Sequence, residues 1–303
     1  MTPRKLGSFR LDRQIACSRM SSLWLADRDG GGPVVVKILA RGSRAPAPEA
    51  AVAAALRHPN LVELVERGEA EGESFVVMAR LEGASLARIM EACTPADTMP
   101  PSFWAYVIAR AADGLEALHE LRGAEGGQLE LVHGDVSPQN VFVTLAGEVK
   151  VLDFDLVRRA GQPPAWELAG ELAGTYPYLA PERVERRPAD RRADLFALGV
   201  ILYEATTLTR LFKGCTDSET LEKIRRHAVR PPHVLAPEIP RRLESIILRA
   251  IRRDPDERYG TAAELAADLD LFATSREGGG WSRSEIEDAL GERVVSLVDT
   301  SAS

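Results

Sequence analysis

The stretch His133-Gly134-Asp135-Val136-Ser137-Pro138-Gln139-Asn140 is the most informative part of the chain. It sets a carboxylate five residues before a carboxamide, and a second carboxylate, in Asp153-Phe154, follows Asn140 by thirteen residues. Between them lie two short apolar runs, Val141-Phe142-Val143 and Val149-Lys150-Val151-Leu152, with Ala146-Gly147 as their turn. The pattern reads as a polar loop followed by a small hairpin. Taken singly, Asp and Asn are ordinary turn residues. At this spacing they read as one set of hard oxygen donors.

Outward from that loop the chain divides in two. Before it, strands dominate: Leu23-Trp24-Leu25-Ala26 and Val34-Val35-Val36-Lys37-Ile38-Leu39 flank a glycine-rich turn over 27–33, and further strands are expected over 61–67 and 74–80. Residues 49–57 are alanine-rich without a breaker, and predict a helix that stops before His58-Pro59-Asn60. After Gly83 the periodicity becomes helical. Phe103, Val107, Ala111, Leu115 and Leu118 mark a buried helix over 102–121, and helices are also expected over 193–206, 218–226, 240–252 and 261–272. Gly278-Gly279-Gly280 is a flexible break. Beyond it, Ser282 and Glu285 can form a capping box for a terminal helix whose Ile286, Leu290, Val294 and Leu297 share one face. That helix packs on its own domain or docks a partner; the sequence leaves both open.

With 303 residues, 45% of them hydrophobic, the chain can bury one large domain or two lobes. A net charge of −7 argues against a nucleic-acid binder, which needs a basic face. Cys17, Cys93 and Cys215 match no metal-ligand or disulfide spacing and fit a reducing compartment. Residues 1–13 are polar and basic with no apolar run behind them, and the longest apolar run, 195–203, is too short for a bilayer. The expectation is a soluble, cytoplasmic protein without a membrane span.

Further motifs fall in a fixed order. Lys37 ends the run Val34-Val35-Val36, and Glu49 follows twelve residues later on the expected helix. Downstream come Gly174-Thr175-Tyr176-Pro177-Tyr178-Leu179-Ala180-Pro181-Glu182, then Asp194-Leu195-Phe196-Ala197-Leu198-Gly199, then Asp254-Pro255-Asp256-Glu257-Arg258. With the loop at 133–140, these resemble the eukaryotic-like serine/threonine protein kinases of bacteria over residues 8–274. The resemblance implies an α+β, bilobal protein-kinase fold: a β-rich N-lobe over 8–80, a hinge over 81–83, a mainly helical C-lobe over 84–274 and an extension over 275–303. It implies ATP with Mg²⁺ or Mn²⁺ as cofactors and a protein substrate or signalling partner, with the oligomeric state left open. By that resemblance Asp135 orients the substrate hydroxyl and accepts its proton, Asn140 and Asp153 hold the metal, and Glu49 holds Lys37 against the phosphates. Arg258 would pair with Glu182 of the Ala-Pro-Glu motif.

The departures are as specific as the matches. Aligned from Ile15 to Leu23, the three glycine positions of the phosphate-covering loop carry Ala16, Ser18 and Ser21. Glycine serves there because it lets backbone N–H groups approach phosphate and permits positive φ. The segment reads either as a stiffer loop or simply as a hairpin lid. Ser137 stands where a lysine usually aims at the γ-phosphate, and losing such a donor costs on the order of 10²–10³ in rate. Gly134 replaces the arginine that reads a phosphorylated activation segment, and residues 156–174 contain no Ser, Thr or Tyr, so phosphorylation of that stretch is not expected. Asp155 replaces the glycine of Asp-Phe-Gly, where a second carboxylate could bind metal or repel nucleotide. Leu23, Val35, Met78, Leu81 and Phe142 would wall the adenine slot, with Met78 as gatekeeper. Val35 and Phe142 would make it thin if both point inward. Three readings follow: an active but slow serine/threonine protein kinase, a pseudokinase acting as a nucleotide sensor or scaffold, and a small-molecule kinase of the aminoglycoside type. Residues 174–182 and 254–258 speak against the third.

Overall fold

The alternation Val34-Val35-Val36-Lys37-Ile38 organises the first half of the molecule. The computed structural model describes residues 4–17, 21–40, 56–123, 125–162 and 172–299. Glu49 and Ser18, and nearly all of the helix expected over 49–57, therefore lie outside the described residues. An antiparallel sheet is built from β1 (Arg4–Leu6), β2 (Phe9–Cys17), β3 (Ser21–Arg28), β4 (Gly32–Leu39), β5 (Leu64–Ala70) and β6 (Glu73–Ala79), in the order β1-β2-β3-β4-β6-β5. Side chains alternate across a strand. One face of β4 thus sends Val34, Val36 and Ile38 into a small core with Leu6, Phe9, Leu11, Phe75 and Val77. The other face turns Val35 and Lys37 toward the rest of the molecule. Each fully buried valine or leucine there contributes about 1.5–3 kcal/mol relative to exposure.

The strand expected over 61–67 begins later, at Leu64. Its first residues are used elsewhere: Leu61 bridges Val151 in parallel, Val62 N–H donates to the Val151 carbonyl at 3.0 Å, and the Asn60 amide donates to Val149 at 2.9 Å. This short segment ties the two halves of the chain together. Small strands follow: β7 (Gly83–Ser85), β8 (Leu131–Val132), β9 (Val141–Thr144), β10 (Val149–Val151) and β11 (Arg158–Arg159). β9 and β10 form the expected hairpin and β7 completes their sheet.

The helical half contains α1 (Leu86–Glu91), α2 (Pro101–His119), α3 (Pro181–Val184), α4 (Arg192–Thr207), α5 (Asp217–Arg226), α6 (Pro232–Leu235), α7 (Arg241–Ala250), α8 (Ala262–Ala273) and α9 (Arg283–Asp299). α4 is buried on nearly every face, as a helix without a polar stripe must be, and α2 and α7 pack against it. Thr216 and Thr261 cap α5 and α8 by accepting from the N–H groups of Glu219 and Glu264. The fold is a curled β-sheet lobe on a mainly helical lobe.

The terminal helix α9 docks on its own chain. Its capping box is formed, with Ser282 N–H donating to Glu285 at 2.8 Å and Glu285 N–H to the Ser282 hydroxyl at 3.3 Å. Ile286, Leu290 and Val294 are buried. The seat is the β7–β9 region: a Cβ at Gly147 would lie 2.0 Å from the Glu287 carbonyl, so the β9–β10 turn requires glycine for close approach. Arg293 pairs with Asp97 at 2.9 Å, and Arg88 donates to the Leu297 carbonyl at 3.1 Å.

Candidate active site

A buried carboxylate sets the 133–140 loop. Asp194, in the first turn of α4, accepts from the backbone N–H of His133 at 2.8 Å and of Gly134 at 2.9 Å, and contacts His119 Nε2 at 2.9 Å. Burial alone would raise its pKa; the hydrogen bond and charge of His119 lead the groups that outweigh it, so the carboxyl sits below its ordinary value. His133 is oriented by two contacts. Its Nε2 lies 3.1 Å from the Leu152 carbonyl, and its Nδ1 accepts from Asp135 N–H at 3.3 Å, which fixes the proton on Nε2.

Asp135 is thereby held at the cleft. Its Oδ1 accepts from both the N–H and the hydroxyl of Thr175 at 2.8 Å, and its Oδ2 from the Asn140 amide at 3.2 Å. Desolvation raises its pKa above the ordinary aspartate value, against the hydrogen bonds from Thr175. The Asn140 amide nitrogen also donates to the Asp135 carbonyl at 2.9 Å, which leaves its oxygen for another partner. Ser137 is fully buried, and its hydroxyl has no hydrogen-bond partner among the described residues.

Two arginines occupy the space around Gly134. Gly134 has φ +79°, and a Cβ there would lie 2.0 Å from Arg158 Nη1. Arg183, buried at the start of α3, donates to the Gly134 carbonyl at 2.8 Å and to the Ala173 carbonyl at 3.0 Å. It joins the 133–140 loop directly to the residues just before Gly174. Sequence reading registered Gly134 as a loss and missed Arg183; the only signal was an arginine one residue after Glu182. Glu182 itself meets Arg258 through two bonds of 2.8 and 2.7 Å, both residues being buried. That pairing is the one expected.

Lys37 faces the loop from β4. It is 5% exposed, and its ammonium donates to both oxygens of Asp153 at 2.7 Å and pairs with Asp155 at 2.7 Å. Burial opposes the charge, and the two carboxylates override it, so the lysine pKa lies above its ordinary value. Asp153 is lowered by Lys37 against its own burial, whereas burial and the neighbouring Asp153 raise Asp155. Asp153 sits at φ +64°, a conformation that non-glycine residues adopt at a cost.

The upper wall is looser. Ile15, on β2, is 45% exposed; Ala16 pairs with Leu23 and Ser21 with Leu39. β2 and β3 are antiparallel neighbours, their pairing bulged between Leu11 and Arg13 and between Gln14 and Ala16. Leu23, Val35 and Met78 share the face of the sheet that carries Lys37, because Leu23 pairs with Lys37 and Val35 with Met78. Leu81 is half-buried, and the Phe142 ring edge lies against Gly83 just beyond it.

This donor set suits a nucleotide and its metal. Among the described residues no three His, Cys, Asp or Glu side chains converge as a metal cage. A magnesium ion carried on phosphates needs only one or two protein carboxylates, and the oxygens of Asp153 and Asn140 are of the right hard type. Lys37 supplies the cation on the same side.

The chain matches the protein kinase domain model over residues 25–269. It belongs to the protein kinase family. Tyrosine-protein kinase MasK of Myxococcus xanthus is 38% identical over 232 residues, 76% of this chain and 36% of that protein. Serine/threonine-protein kinase PknB of Mycobacterium leprae is 33% identical over 226 residues, 73% of this chain and 34% of that protein. The chain therefore spans about a third of the length of these curated relatives. The PknI kinase domain of Mycobacterium tuberculosis superposes with a TM-score of 0.65 at 24% identity, covering 89% of this chain and 98% of that one, and it bears on the fold alone. Helix α9, packed on the β7–β9 region, lies beyond the residues matched by the protein kinase domain model.

Proposed function

We propose that this chain is an ATP-dependent serine/threonine protein kinase, built from an N-lobe over 8–80, a hinge over 81–83, a C-lobe over 84–274 and the extension over 275–303. The observation that carries the reading is the fixed position of Asp135, with one oxygen saturated by Thr175 and the other beside Asn140. A carboxylate so held can orient a hydroxyl and accept its proton through Oδ2. Bound ATP with Mg²⁺ or Mn²⁺ would supply the phosphoryl group and neutralise its charge, Asn140 and Asp153 holding the metal and Lys37 the phosphates. Ile15, Ala16, Ser18, Ser21, Leu23, Val35, Met78, Leu81 and Phe142 would enclose the nucleotide. Ser137 and Glu49 complete the catalytic set.

The relatives' names divide between tyrosine and serine/threonine kinases. Contact between Thr175 and Asp135 at 2.8 Å favours the shorter acceptor, because the peptide-binding segment then lies close to the base and a short side chain bridges the gap. The surviving polar set of Lys37, Asp135, Asn140 and Asp153 weighs against the pseudokinase reading. Among the described residues no helix is long and apolar enough to cross a membrane; we place the domain in the cytoplasm, acting on a protein rather than a nucleic acid.

The test is Asp135→Asn, assayed with ATP and Mg²⁺ on peptides offering Ser, Thr or Tyr. Nucleotide at 100 times its dissociation constant should stabilise wild type by about 2.7 kcal/mol. Phosphate incorporation on serine or threonine should vanish in the variant. Absence of both the stabilisation and Asp135-dependent transfer would overturn the proposal, and transfer to tyrosine alone would revise its acceptor.

A further inference from the structure

We propose that Asp155 is a positioning residue for Lys37, keeping the lysine in place for nucleotide independently of Glu49. The inference rests on the kinase reading above. Where the family has glycine, this chain has a carboxylate, and its Oδ2 lies 2.7 Å from the Lys37 ammonium.

Four observations support the assignment. Lys37 is almost wholly buried, and a buried ammonium needs a counter-charge and hydrogen-bond acceptors to stay in place. Its other described partner, Asp153, gives both oxygens to the lysine, yet those oxygens are also the hard donors suited to a metal. Asp155 can stay on the lysine when Asp153 turns to a cation. The backbone accommodates a side chain at this position: Asp155 does not take a positive φ, so the conformational freedom of glycine is unused at residue 155. Asp155 also donates its N–H to Asp153 Oδ1 at 3.3 Å, so a single residue steadies both members of the pair.

The consequence concerns control. In a kinase whose lysine depends on one helix-borne glutamate, moving the helix moves the lysine. Here a carboxylate two residues from Asp153, on the activation-segment side, supplies the same support. Lysine placement is then partly uncoupled from helix placement. This agrees with Arg183, which joins the 133–140 loop to the activation segment without a phosphate.

The experiment uses the full chain and reads nucleotide affinity by calorimetry alongside phosphoryl transfer. Asp155→Gly and Asp155→Asn should each weaken binding of ATP with Mg²⁺ about tenfold, and Asp155→Glu should restore it to within about threefold. Glu49→Gln should lower kcat/KM about tenfold with Asp155 present and about a hundredfold in the Asp155→Gly background, a coupling that a merely structural aspartate would not produce. Unchanged or tighter nucleotide affinity in Asp155→Gly, or equal cost of Glu49→Gln in both backgrounds, would overturn the assignment while leaving the kinase reading intact. Loss of Asp135-dependent transfer in wild type would overturn the kinase reading instead.

Discussion

The floor and the roof of the cleft are built to different standards. On the floor, Asp194 binds two backbone N–H groups and His119, Arg183 spans two carbonyls, and Glu182 meets Arg258 through two bonds, all of them buried. On the roof, the β2–β3 pair leaves Ile15 45% exposed, and at two of the expected glycine positions Ala16 and Ser21 stand in strand pairings. The difference follows from what each side must do. A proton acceptor has to stand within hydrogen-bond reach of one hydroxyl, so its supports tolerate little change. A cover over phosphates works through backbone groups and shape, and on the proposed function it can drift while Lys37, Asn140 and Asp153 persist.

If the floor is held by buried pairs, breaking one should be costly. Arg258→Leu leaves the Glu182 carboxylate buried without its bidentate partner, and should destabilise the protein by about 3–5 kcal/mol in denaturant unfolding. The double variant Glu182→Leu/Arg258→Leu removes both charges and should recover much of that loss. Equal destabilisation by the single and double variants would mean that the other contacts of Arg258, its hydrogen bonds to the Arg192, Arg252 and Arg253 carbonyls and its packing on Phe196 4.8 Å from the ring centroid, matter more than the charge pair.

A smaller effect is expected at Asp194. Asp194→Asn weakens charge-assisted hydrogen bonds to the loop and should cost about 1.5–3 kcal/mol. The pH dependence has a definite sign. Because the folded-state pKa of Asp194 is depressed, its contribution is fully present above the ordinary aspartate value and is lost as pH falls through the folded value. Acid unfolding of Asp194→Asn should therefore show a shallower loss of stability below about pH 4 than wild type. An unchanged acid limb would place the acid sensitivity elsewhere.

Much of this was legible in the sequence because the floor is encoded in contiguous motifs. The 133–140 loop, the 174–182 segment and Arg258 carry their partners by type and order, and the apolar periods mark α2 and α4 directly. The capping box and the Ile286, Leu290 and Val294 stripe foretold α9, but its seat is assembled from β7, β9 and Asp97, which no local pattern joins. Strands of two or three residues, such as β1, β7, β8 and β11, are too short to show a period. Asp155 looked like a metal ligand or a repulsive charge because its partner, Lys37, is distant in sequence and lies on another lobe. Arg183 was silent for the same reason: its acceptors are backbone carbonyls, which every residue has.

The roof offers the mildest way to break the contrast. If the drifted loop were still a phosphate cradle waiting for its glycines, Ala16→Gly with Ser21→Gly would restore flexibility and tighten nucleotide binding. The ladder argues the other way. Ala16 pairs with Leu23 and Ser21 with Leu39, so both positions are strand residues here, where glycine forfeits about 0.5–1 kcal/mol each through chain entropy. The double variant should therefore lose about 1–2 kcal/mol of stability while its affinity for ATP with Mg²⁺ changes by less than about threefold. A tenfold gain in affinity would show that the hairpin retains the older cradle, and that floor and roof differ in sequence more than in use. A loss of stability without that gain would mean that Ala16 and Ser21 act as plain strand residues, leaving Lys37, and a metal that Asp153 and Asn140 would hold, to bind the nucleotide's phosphates.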